Sequence, residues 1–363
     1  MRSKTILFVV TSLQEGGAGK MVHHIAGLLA KEYSKVYAIA TNTEEIFVSN
    51  NGVHYLEPLC EHQGGILGFS RTIIALRKII TQVKPDIIIT FVGDIAVCTR
   101  IATLGMRGLK VISAERGDPF TQGKKWDFLT RWAYKHSDWC FFQLPKARDY
   151  YGKKVVKKSF VIPNAAFFEG KIGCHVSMHK TIVSAGRFVW EKGFDTLIAA
   201  FSIVYAKYPE YKLVLYGEGP FQKEYEKQLL EQGLIGQVSF PGYTNNIGDA
   251  LKNEDIFVLP SRYEGIPNVL IEAMLVGIPT VSCDCNPGGP SFLTKEGNIG
   301  TLVPVDDINA IAEAILQLIE DRELYKKYEK EGPRIIDDLN PSVIEKQWLD
   351  AFHLIDNYGL GSN

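Results

Sequence analysis

The sequence predicts an α/β protein made of two doubly wound, Rossmann-like domains, each with a parallel sheet covered by helices on both faces. Three observations predict this fold class. The chain has 363 residues, which is enough for two or three domains. Apolar residues make up 46% and charged residues 22%, as in soluble globular proteins. Short, nearly continuous apolar runs alternate with helical patterns along the whole chain, which is typical of buried parallel strands.

The predicted strands form two consecutive groups, with helical patterns such as Lys20–Glu32 and Leu67–Val83 between strands. The first group comprises Thr5–Val10, Lys35–Ala40, Asp86–Phe91, Lys110–Ala114, Trp139–Leu144 and Ser159–Pro163. The second group comprises Thr181–Ala185, Lys212–Tyr216, Val238–Phe240, Ile256–Pro260, Thr280–Cys283 and Thr301–Val303. The irregular stretch 164–180, which contains Gly170 and Gly173, is interpreted as the linker.

This pattern divides the chain into an N-terminal domain (residues 1–165), a C-terminal domain (residues 166–340) and a last helix (residues 341–363). Asn340-Pro341 suits the cap and first turn of that helix. Its apolar face is expected to consist of Val343, Trp348, Leu349 and Phe352. Open α/β sheets bind ligands beyond the carboxyl ends of their strands, so two such domains facing each other would form a cleft lined by these loops.

The net charge of −1 hides a split between the two halves. Residues 1–165 hold 23 Lys and Arg against 13 Asp and Glu, whereas residues 166–363 hold 17 against 28. The basic excess is concentrated in residues 124–158, which also contain Trp126, Phe128, Trp132 and Tyr134. This mixture suits a surface that meets anionic lipid headgroups, but a solvated helix with its aromatic residues in the core explains it equally well. Nucleic acid is not expected, because no reader motif accompanies the charge.

Several classes of protein are excluded. Charged residues interrupt every long apolar stretch before about 18 residues, which excludes a spanning helix. The first apolar run is too short for a signal peptide and has no small-residue cleavage site. The six cysteines have no metal-ligand spacing, so no metal site is expected, and reduced thiols in a cytoplasmic protein fit best.

The loop after the first predicted strand is rich in glycine and ends at Lys20. It is not a P-loop, because Gln14 and Met21 stand where glycine and Ser or Thr are needed. Its glycines, among them Gly16 and Gly17, still allow the backbone to approach an anion at a helix N-terminus. Tight-turn packing is the competing interpretation.

The sharpest motif follows the predicted strand Ile256–Pro260. Because Pro267 suits a first helical turn, a helix is expected to start near Gly265, with Glu264 in the loop before it and Glu272 about 12 Å further along. Glu272 suits a ribose diol and Glu264 the hydroxyls of a sugar. The backbone amides at Gly265–Asn268, a stretch that includes Ile266 and Pro267, would face a diphosphate. A capping and a solvated glutamate are the competing interpretation.

Two cations follow the predicted strand Thr181–Ala185. Arg187 and Lys192 would stand at its carboxyl end, where they can neutralise a diphosphate and stabilise it as a leaving group. A surface cation pair is the alternative. Further glycine turns after strands contain Gly217 and Tyr243, which suit contacts with a nucleotide base, although turn chemistry alone explains them too.

The order and spacing of these motifs resemble glycosyltransferase family 4 over nearly the whole chain: Gly186-Arg187, Glu191-Lys192-Gly193, Gly217-Glu218-Gly219-Pro220, Pro241-Gly242 and the Glu264-x7-Glu272 block. The resemblance implies a GT-B fold, a nucleotide-sugar donor, retention of anomeric configuration and no required metal or other cofactor. It implies an acceptor-binding first domain, a donor-binding second domain and a last helix that crosses back onto the first. Arg187 and Lys192 would bind the diphosphate, Glu272 the ribose and Glu264 the transferred sugar, and Gly16 and Gly17 would approach the donor.

One departure concerns the cleft histidine of many members of that family. The corresponding stretch here is Ser113-Ala114-Glu115-Arg116-Gly117-Asp118-Pro119, which resembles members acting in bacterial surface polysaccharide assembly. Glu115 or Arg116 is therefore expected to orient the acceptor or the donor. A front-face reaction needs no strong base, because the departing phosphate oxygen takes the acceptor proton, so catalysis is mostly positioning and charge stabilisation.

The resemblance of Asn286-Pro287-Gly288-Gly289-Pro290-Ser291 to other members suggests a UDP-linked hexose or N-acetylhexosamine. The basic first domain suits a glycan acceptor on a lipid diphosphate at the inner membrane surface. Two alternatives remain, a GT-B epimerase or phosphorylase and a non-catalytic sugar-nucleotide binding protein. An epimerase would not need a basic first domain, and the four charged motif residues disfavour a non-catalytic role.

Overall fold

The computed structural model describes residues 2–13, 17–42, 51–59, 66–121, 123–168, 170–176, 179–244 and 246–358. The chain divides into two compact units. Unit 1 comprises Met1–Ala165 and Pro341–Asn363, and unit 2 comprises Ala166–Asn340.

Unit 1 contains a seven-stranded parallel sheet in the order β3-β2-β1-β4-β5-β6-β7. Its strands are β1 (Arg2–Val10), β2 (Tyr33–Ala40), β3 (His54–Tyr55), β4 (Ile87–Phe91), β5 (Lys110–Glu115), β6 (Trp139–Phe142) and β7 (Ser159–Val161). Its helices up to this point are α1 (Gly17–Ala30), α2 (Ile66–Val83), α3 (Gly93–Ala102), α4 (Lys124–His136), α5 (Pro145–Tyr150) and α6 (Lys153–Val156).

The two faces of this sheet can be followed along β1, where side chains alternate between two cores. Ile6, Phe8 and Val10 pack in one hydrophobic cluster with α1, and Leu7 and Val9 pack in another with α2 and α3. All of these β1 side chains are buried. The alternation follows the two-residue period of a strand and explains why β1 reads as a continuous apolar run.

Unit 2 contains a six-stranded parallel sheet in the order β10-β9-β8-β11-β12-β13. Its strands are β8 (Thr181–Ala185), β9 (Lys212–Tyr216), β10 (Val238–Gly242), β11 (Ile256–Leu259), β12 (Thr280–Cys283) and β13 (Thr301–Val303). Its helices are α7 (Phe194–Lys207), α8 (Gln222–Glu231), α9 (Ile247–Leu251), α10 (Asn268–Val276), α11 (Gly289–Leu293), α12 (Ile308–Glu320), α13 (Arg322–Glu331) and α14 (Ile336–Leu339).

The strand order of each sheet reverses at one point. In unit 1 the reversal lies between β1 and β4, and in unit 2 it lies between β8 and β11. In open α/β sheets a crevice forms at this switch point, at the carboxyl ends of the two strands. In unit 2 the crevice is therefore bordered by the loops that follow β8 and β11.

The last helix, α15 (Pro341–Asn357), belongs to unit 1. Its buried face consists of Ile344, Trp348, Ala351, Phe352 and Ile355. The sequence-based expectation for Val343 is wrong, since its side chain is 44% exposed. The period of 3.6 residues explains the correction, because Ile344 lies one turn before Trp348 and Val343 lies beside that stripe.

The predicted fold class, two Rossmann-like parallel sheets flanked by helices, is confirmed. Each predicted strand coincides with a strand of the structure. The sequence analysis missed β3, which has two residues, neither of them buried. It also placed the start of α10 too early, because Pro267 has an extended backbone (ψ 112°) and α10 begins only at Asn268.

Candidate functional site

The switch point of unit 2 brings the two predicted cations and Glu264 to the same edge of the sheet. Arg187 and Lys192 lie in the loop after β8, where residues 190–192 form a short 3₁₀ helix. Glu264 lies in the loop between β11 and α10. Because β8 and β11 are neighbouring parallel strands, both loops leave the sheet at the same edge.

Lys192 and Glu264 form an ion pair through Nζ and Oε1, and both side chains are mostly buried, with 19% and 14% exposure. The Ser261 hydroxyl donates a second hydrogen bond to Glu264 Oε1 at 2.9 Å. The backbone N–H of Glu264 donates to the Asn286 carbonyl oxygen at 3.0 Å. The carboxylate is thus held in one orientation by its own loop and by Lys192.

Arg187 is exposed, and its side chain makes no hydrogen bond or ion pair among the described residues. The charge of Arg187 nevertheless affects a neighbouring carboxylate. The pKa of Glu191 is lowered by the backbone N–H of the same residue and by the Tyr263 hydroxyl, and then by the charges of Arg187 and Lys192. Arg187, which is exposed at this edge of an otherwise acidic unit, is therefore available to an anion.

Two glycines at this edge are required by close approaches between loops. A Cβ atom at Gly193 (φ +65°) would lie 2.1 Å from the carbonyl oxygen of Pro260. A Cβ atom at Gly217 (φ +131°) would lie 1.9 Å from the carbonyl oxygen of Gly186. These contacts explain both glycines by packing, so they leave the predicted ligand contact of Gly217 without independent support.

The remaining predicted donor residues differ in accessibility. Ile266 and Pro267 are buried, so only their backbone atoms can face a ligand. Glu272 is half-buried on the second turn of α10. Tyr243, which follows β10, is 68% exposed. Asn268 is the first residue of α10, and Gly265 lies in the loop before it.

In unit 1, Gly17 is the first residue of α1, while Gly16 lies outside the described residues. The role implied for these glycines stays a prediction.

Glu115 is fully engaged inside unit 1. Its side chain is 3% exposed. Oε1 accepts the backbone N–H groups of Arg116 and Gly117 at 3.1 and 3.0 Å, and Oε2 accepts the hydroxyls of Tyr134 and Tyr151 at 3.3 and 2.9 Å. Burial raises the pKa of this carboxyl group, and the four donors only partly offset that effect. Glu115 fixes the backbone of the loop after β5.

Arg116 is also engaged within unit 1. Its guanidinium lies 5.7 Å from the ring centre of Phe91 and 5.2 Å from that of Trp348. Nη1 donates to the Ile162 carbonyl oxygen at 3.3 Å, while Nε and Nη2 are buried and have no hydrogen-bond partner in the part of the chain that the structure describes. Burial lowers the pKa of Arg116 to about 10. The contacts of Glu115 and Arg116 are structural, and the predicted contact of either with acceptor or donor stays a prediction.

In the basic stretch 124–158, some aromatic residues are buried as in a core and others are exposed as on a lipid-facing surface. Tyr134 is fully buried and Trp132 half-buried, as in a core. Trp126 is 44% and Phe128 71% exposed, at the start of α4 and beside Lys124 and Lys125. The first turn of α4 is therefore the part that offers aromatic side chains to its surroundings.

The sequence analysis missed Arg262, the residue between Ser261 and Tyr263. Its side chain is 9% exposed and contacts two carboxylates and an aromatic ring. The one sequence signal for Arg262 was its position as an arginine inside the motif that carries Glu264. Its partners could not be predicted, because they lie far away in the sequence. Among the described residues, no cluster of His, Cys, Asp and Glu could hold a metal ion, and no helix is long and apolar enough to cross a bilayer.

Comparisons with known proteins give the class of the second unit. Residues 172–335 match the family model described as glycosyl transferases group 1. A Campylobacter jejuni relative, GalNAc-alpha-(1->4)-GalNAc-alpha-(1->3)-diNAcBac-PP-undecaprenol alpha-1,4-N-acetyl-D-galactosaminyltransferase, is 25% identical over 360 residues. The alignment covers 97% of this chain and 99% of that relative.

Solved structures share the fold of the whole chain. The sucrose-phosphate synthase of Thermosynechococcus elongatus has a TM-score of 0.79 at 18% identity and covers 99% of this chain and 100% of its own. Anabaena HepE in complex with UDP and glucose has a TM-score of 0.79 at 18% identity and covers 96% of this chain and 99% of its own. These neighbours have the GT-B fold, the two-domain architecture of many glycosyltransferases.

Proposed function

We propose that this chain, a glycosyltransferase by its group 1 domain, transfers a hexose or N-acetylhexosamine from a UDP-sugar to a glycan acceptor carried on a lipid diphosphate, with retention of anomeric configuration. The observation that carries the proposal is the convergence of Arg187, Lys192 and Glu264 at the switch point of unit 2. A diphosphate needs cations and a hexose needs a carboxylate acceptor for its hydroxyls, and both lie on adjacent loops there.

The donor is proposed to bind along the carboxyl edge of unit 2. Arg187 has free donors and faces solvent, so it is the first cation available to the diphosphate. Lys192 is already paired with Glu264, so the diphosphate would share Lys192 with that carboxylate. Glu264 then accepts hydroxyls of the transferred sugar, and Glu272, further along α10, accepts the ribose diol.

The base would lie at the far end of the same edge. Tyr243 offers a largely exposed ring after β10, and aromatic rings of this kind stack on a nucleotide base. Backbone groups near Gly217, and the backbone from Gly265 to Asn268 at the entry to α10, would supply further contacts.

The proposed reaction breaks the bond between the anomeric carbon and the diphosphate oxygen and forms a bond from that carbon to an acceptor oxygen on the same face. The acceptor proton passes to the departing phosphate oxygen. Arg187 and Lys192 stabilise the negative charge that develops on the diphosphate, and one such group contributes about 10²–10³ in rate. Orientation of the sugar by Glu264 supplies the rest, with no protein base required.

Two observations support the proposed acceptor class, the name of one relative and the exposed aromatic residues of α4. The Campylobacter relative is named for an acceptor linked to PP-undecaprenol. In unit 1, exposed Trp126 and Phe128 adjoin Lys124 and Lys125, and Phe69 of α2 contacts the Trp126 ring at 5.5 Å. Aromatic residues beside lysines suit the interface of an anionic membrane, so we assign the inner membrane face as the place where unit 1 meets its acceptor.

Calorimetric titration with UDP tests the donor site. The wild type should bind UDP, and Arg187→Ala, Lys192→Ala and Glu272→Gln should each weaken the affinity at least tenfold, because each removes a charged contact. Lys212→Ala is the matched control, since that lysine is exposed at the first residue of β9, at the opposite edge of the sheet from the switch point. Unchanged affinity in all three variants would refute the site.

A transfer assay with a panel of UDP-hexoses and a lipid-diphosphate acceptor tests the reaction. Glu264→Gln should slow turnover by about two orders of magnitude with little change in UDP affinity, because Glu264 is assigned to the sugar. Binding of UDP without any transfer would replace the proposal with a sugar-nucleotide binding protein.

A further inference from the structure

Arg262 stands between the two loops of the candidate donor site, and both terminal nitrogens of its guanidinium make hydrogen bonds. Nη1 and Nη2 donate to Asp195 Oδ1 and Oδ2 at 3.0 and 2.7 Å, the bidentate geometry of a fork on a carboxylate. Nε lies 2.9 Å from Asp306 Oδ1. The guanidinium also lies over the ring of Trp190, 4.6 Å from its centre. Desolvation lowers the pKa of Arg262, but the carboxylates outweigh it and the net direction is upward.

These partners come from two segments of unit 2. Trp190 lies in the loop after β8, two residues before Lys192. Asp195 lies in the first turn of α7, which begins directly after that loop. Asp306 follows β13 and has a left-handed backbone (φ +58°), a conformation that needs support from its surroundings. Arg262 itself belongs to the loop that carries Glu264.

The backbone repeats the connection made by the side chain. The N–H of Arg262 donates to the carbonyl oxygen of Glu191 at 2.8 Å, and Nη1 donates to the carbonyl oxygen of Trp190. The residue next to Glu191 is Lys192, and the residue two positions after Arg262 is Glu264. Arg262 thus fixes the position of Lys192 relative to Glu264 through both its backbone and its side chain.

We propose that Arg262 is a positioning residue, which holds the loop after β8 against the loop after β11 so that the Lys192–Glu264 pair presents both groups to one donor molecule. This inference rests on the proposed function. Arg262 itself is not assigned to the donor, because its side chain is only 9% exposed and both Nη1 and Nη2 already donate to protein acceptors. Its effect must pass through Lys192 and Glu264.

A lysine cannot replace this arginine. The guanidinium reaches Asp195, Asp306 and the Trp190 carbonyl at once and stacks on the indole, whereas an ammonium group is a point charge without the planar fork. Arg262→Lys keeps the charge and most of the volume, so it loosens the loop contact with less risk to folding than alanine. A displacement of about 1 Å at reacting groups costs on the order of 10²-fold in rate.

The test is a double-mutant cycle read out by UDP affinity in calorimetry. Arg262→Lys should weaken UDP binding about tenfold in the wild-type background and hardly at all in the Lys192→Ala background, because the effect passes through Lys192. Additive effects in the two backgrounds would overturn the inference. Arg322→Lys is the control, since Arg322 also stacks on a ring of unit 2, at 4.5 Å from Tyr325, but lies on α13.

Turnover gives a second readout. With a transferable UDP-sugar, kcat of Arg262→Lys should fall by about 10²-fold while the thermal midpoint stays near that of the control variant. A lowered midpoint with normal kcat would show a merely structural role and refute the inference. If Arg262→Lys does not fold, Asp306→Asn removes one partner of Arg262 and should lower kcat in the same direction. Failure of the wild type to bind UDP would refute the proposed function instead, so the two failures are distinguishable.

Discussion

Trp348 provides the most direct test of how unit 1 is held together. It is 1% exposed on α15, its ring stacks on Phe141 at a centroid distance of 4.4 Å, and it lies beneath the guanidinium of Arg116 at 5.2 Å. Trp348→Ala leaves a cavity and removes one of the two rings that face a buried cation. Truncation of a buried tryptophan costs about 3–5 kcal/mol, and the lost cation–π contact falls within that range.

The thermal effect follows from the size of the unit. For a domain of 150–250 residues, 1 kcal/mol shifts the midpoint by about 2–4 °C, so Trp348→Ala should lower the midpoint of unit 1 by roughly 10 °C. Differential scanning calorimetry measures this. UDP, the ligand proposed for unit 2, is added to raise the transition of that unit by mass action and so separate the two transitions. The transition that responds to UDP should not respond to the substitution.

Two variants of the same helix serve as controls. Trp348→Phe keeps an aromatic ring and removes an indole N–H that has no hydrogen-bond partner among the residues described, so it should cost much less than alanine. Val343→Ala, at an exposed position, should stay within about 0.5 kcal/mol of the wild type. If Trp348→Ala unfolds no earlier than Val343→Ala, α15 does not complete the core of unit 1.

Two further predictions concern charge in unit 1. Asp356 accepts from Arg2, Lys4 and Tyr33 at 2.6, 2.9 and 2.8 Å. Burial raises its pKa, but these hydrogen bonds outweigh burial and the net direction is downward. The stabilisation is therefore present above the unfolded pKa and is lost as pH falls through the folded pKa, so Asp356→Asn should cost about 2 kcal/mol at pH 7 and progressively less as the pH is lowered below about 4 in urea denaturation; a cost independent of pH would contradict this. Phe128→Ala should reduce the fraction of protein that sediments with anionic liposomes, whereas Ile203→Ala on unit 2 should leave that fraction unchanged. Binding of the wild type to these liposomes should weaken as salt is added. Binding that does not depend on salt or lipid charge would argue against a membrane face.

The strands and their order along the chain were predictable because a buried parallel strand leaves a short apolar run between helical patterns. β8 and β9 begin and end where the sequence predicts them. The start of α10 was not predictable in the same way. Proline suits the first helical turn, yet Pro267 precedes α10 with an extended backbone, since either position satisfies its fixed φ.

The environment of the candidate residues depends on long-range partners that no local pattern contains. The hydroxyls that bind Glu115 come from Tyr134 and Tyr151, 19 and 36 residues away. The carboxylate that binds Arg262 comes from Asp195, 67 residues earlier. Residue type alone therefore suggested ligand contact for Glu115 and gave no role to Arg262, and only the folded sheet shows which charges are already paired.

The split of unit 1 around unit 2 affects the protein while it is being synthesised. Residues 166–340 leave the ribosome before α15 exists, so unit 2 can fold first. Until translation reaches Trp348 and Phe352, the Phe141 side of the earlier sheet lacks the part of its cover that these two side chains provide. A nascent chain stalled at residue 340 would present that aromatic face to chaperones, and full-length release would remove it.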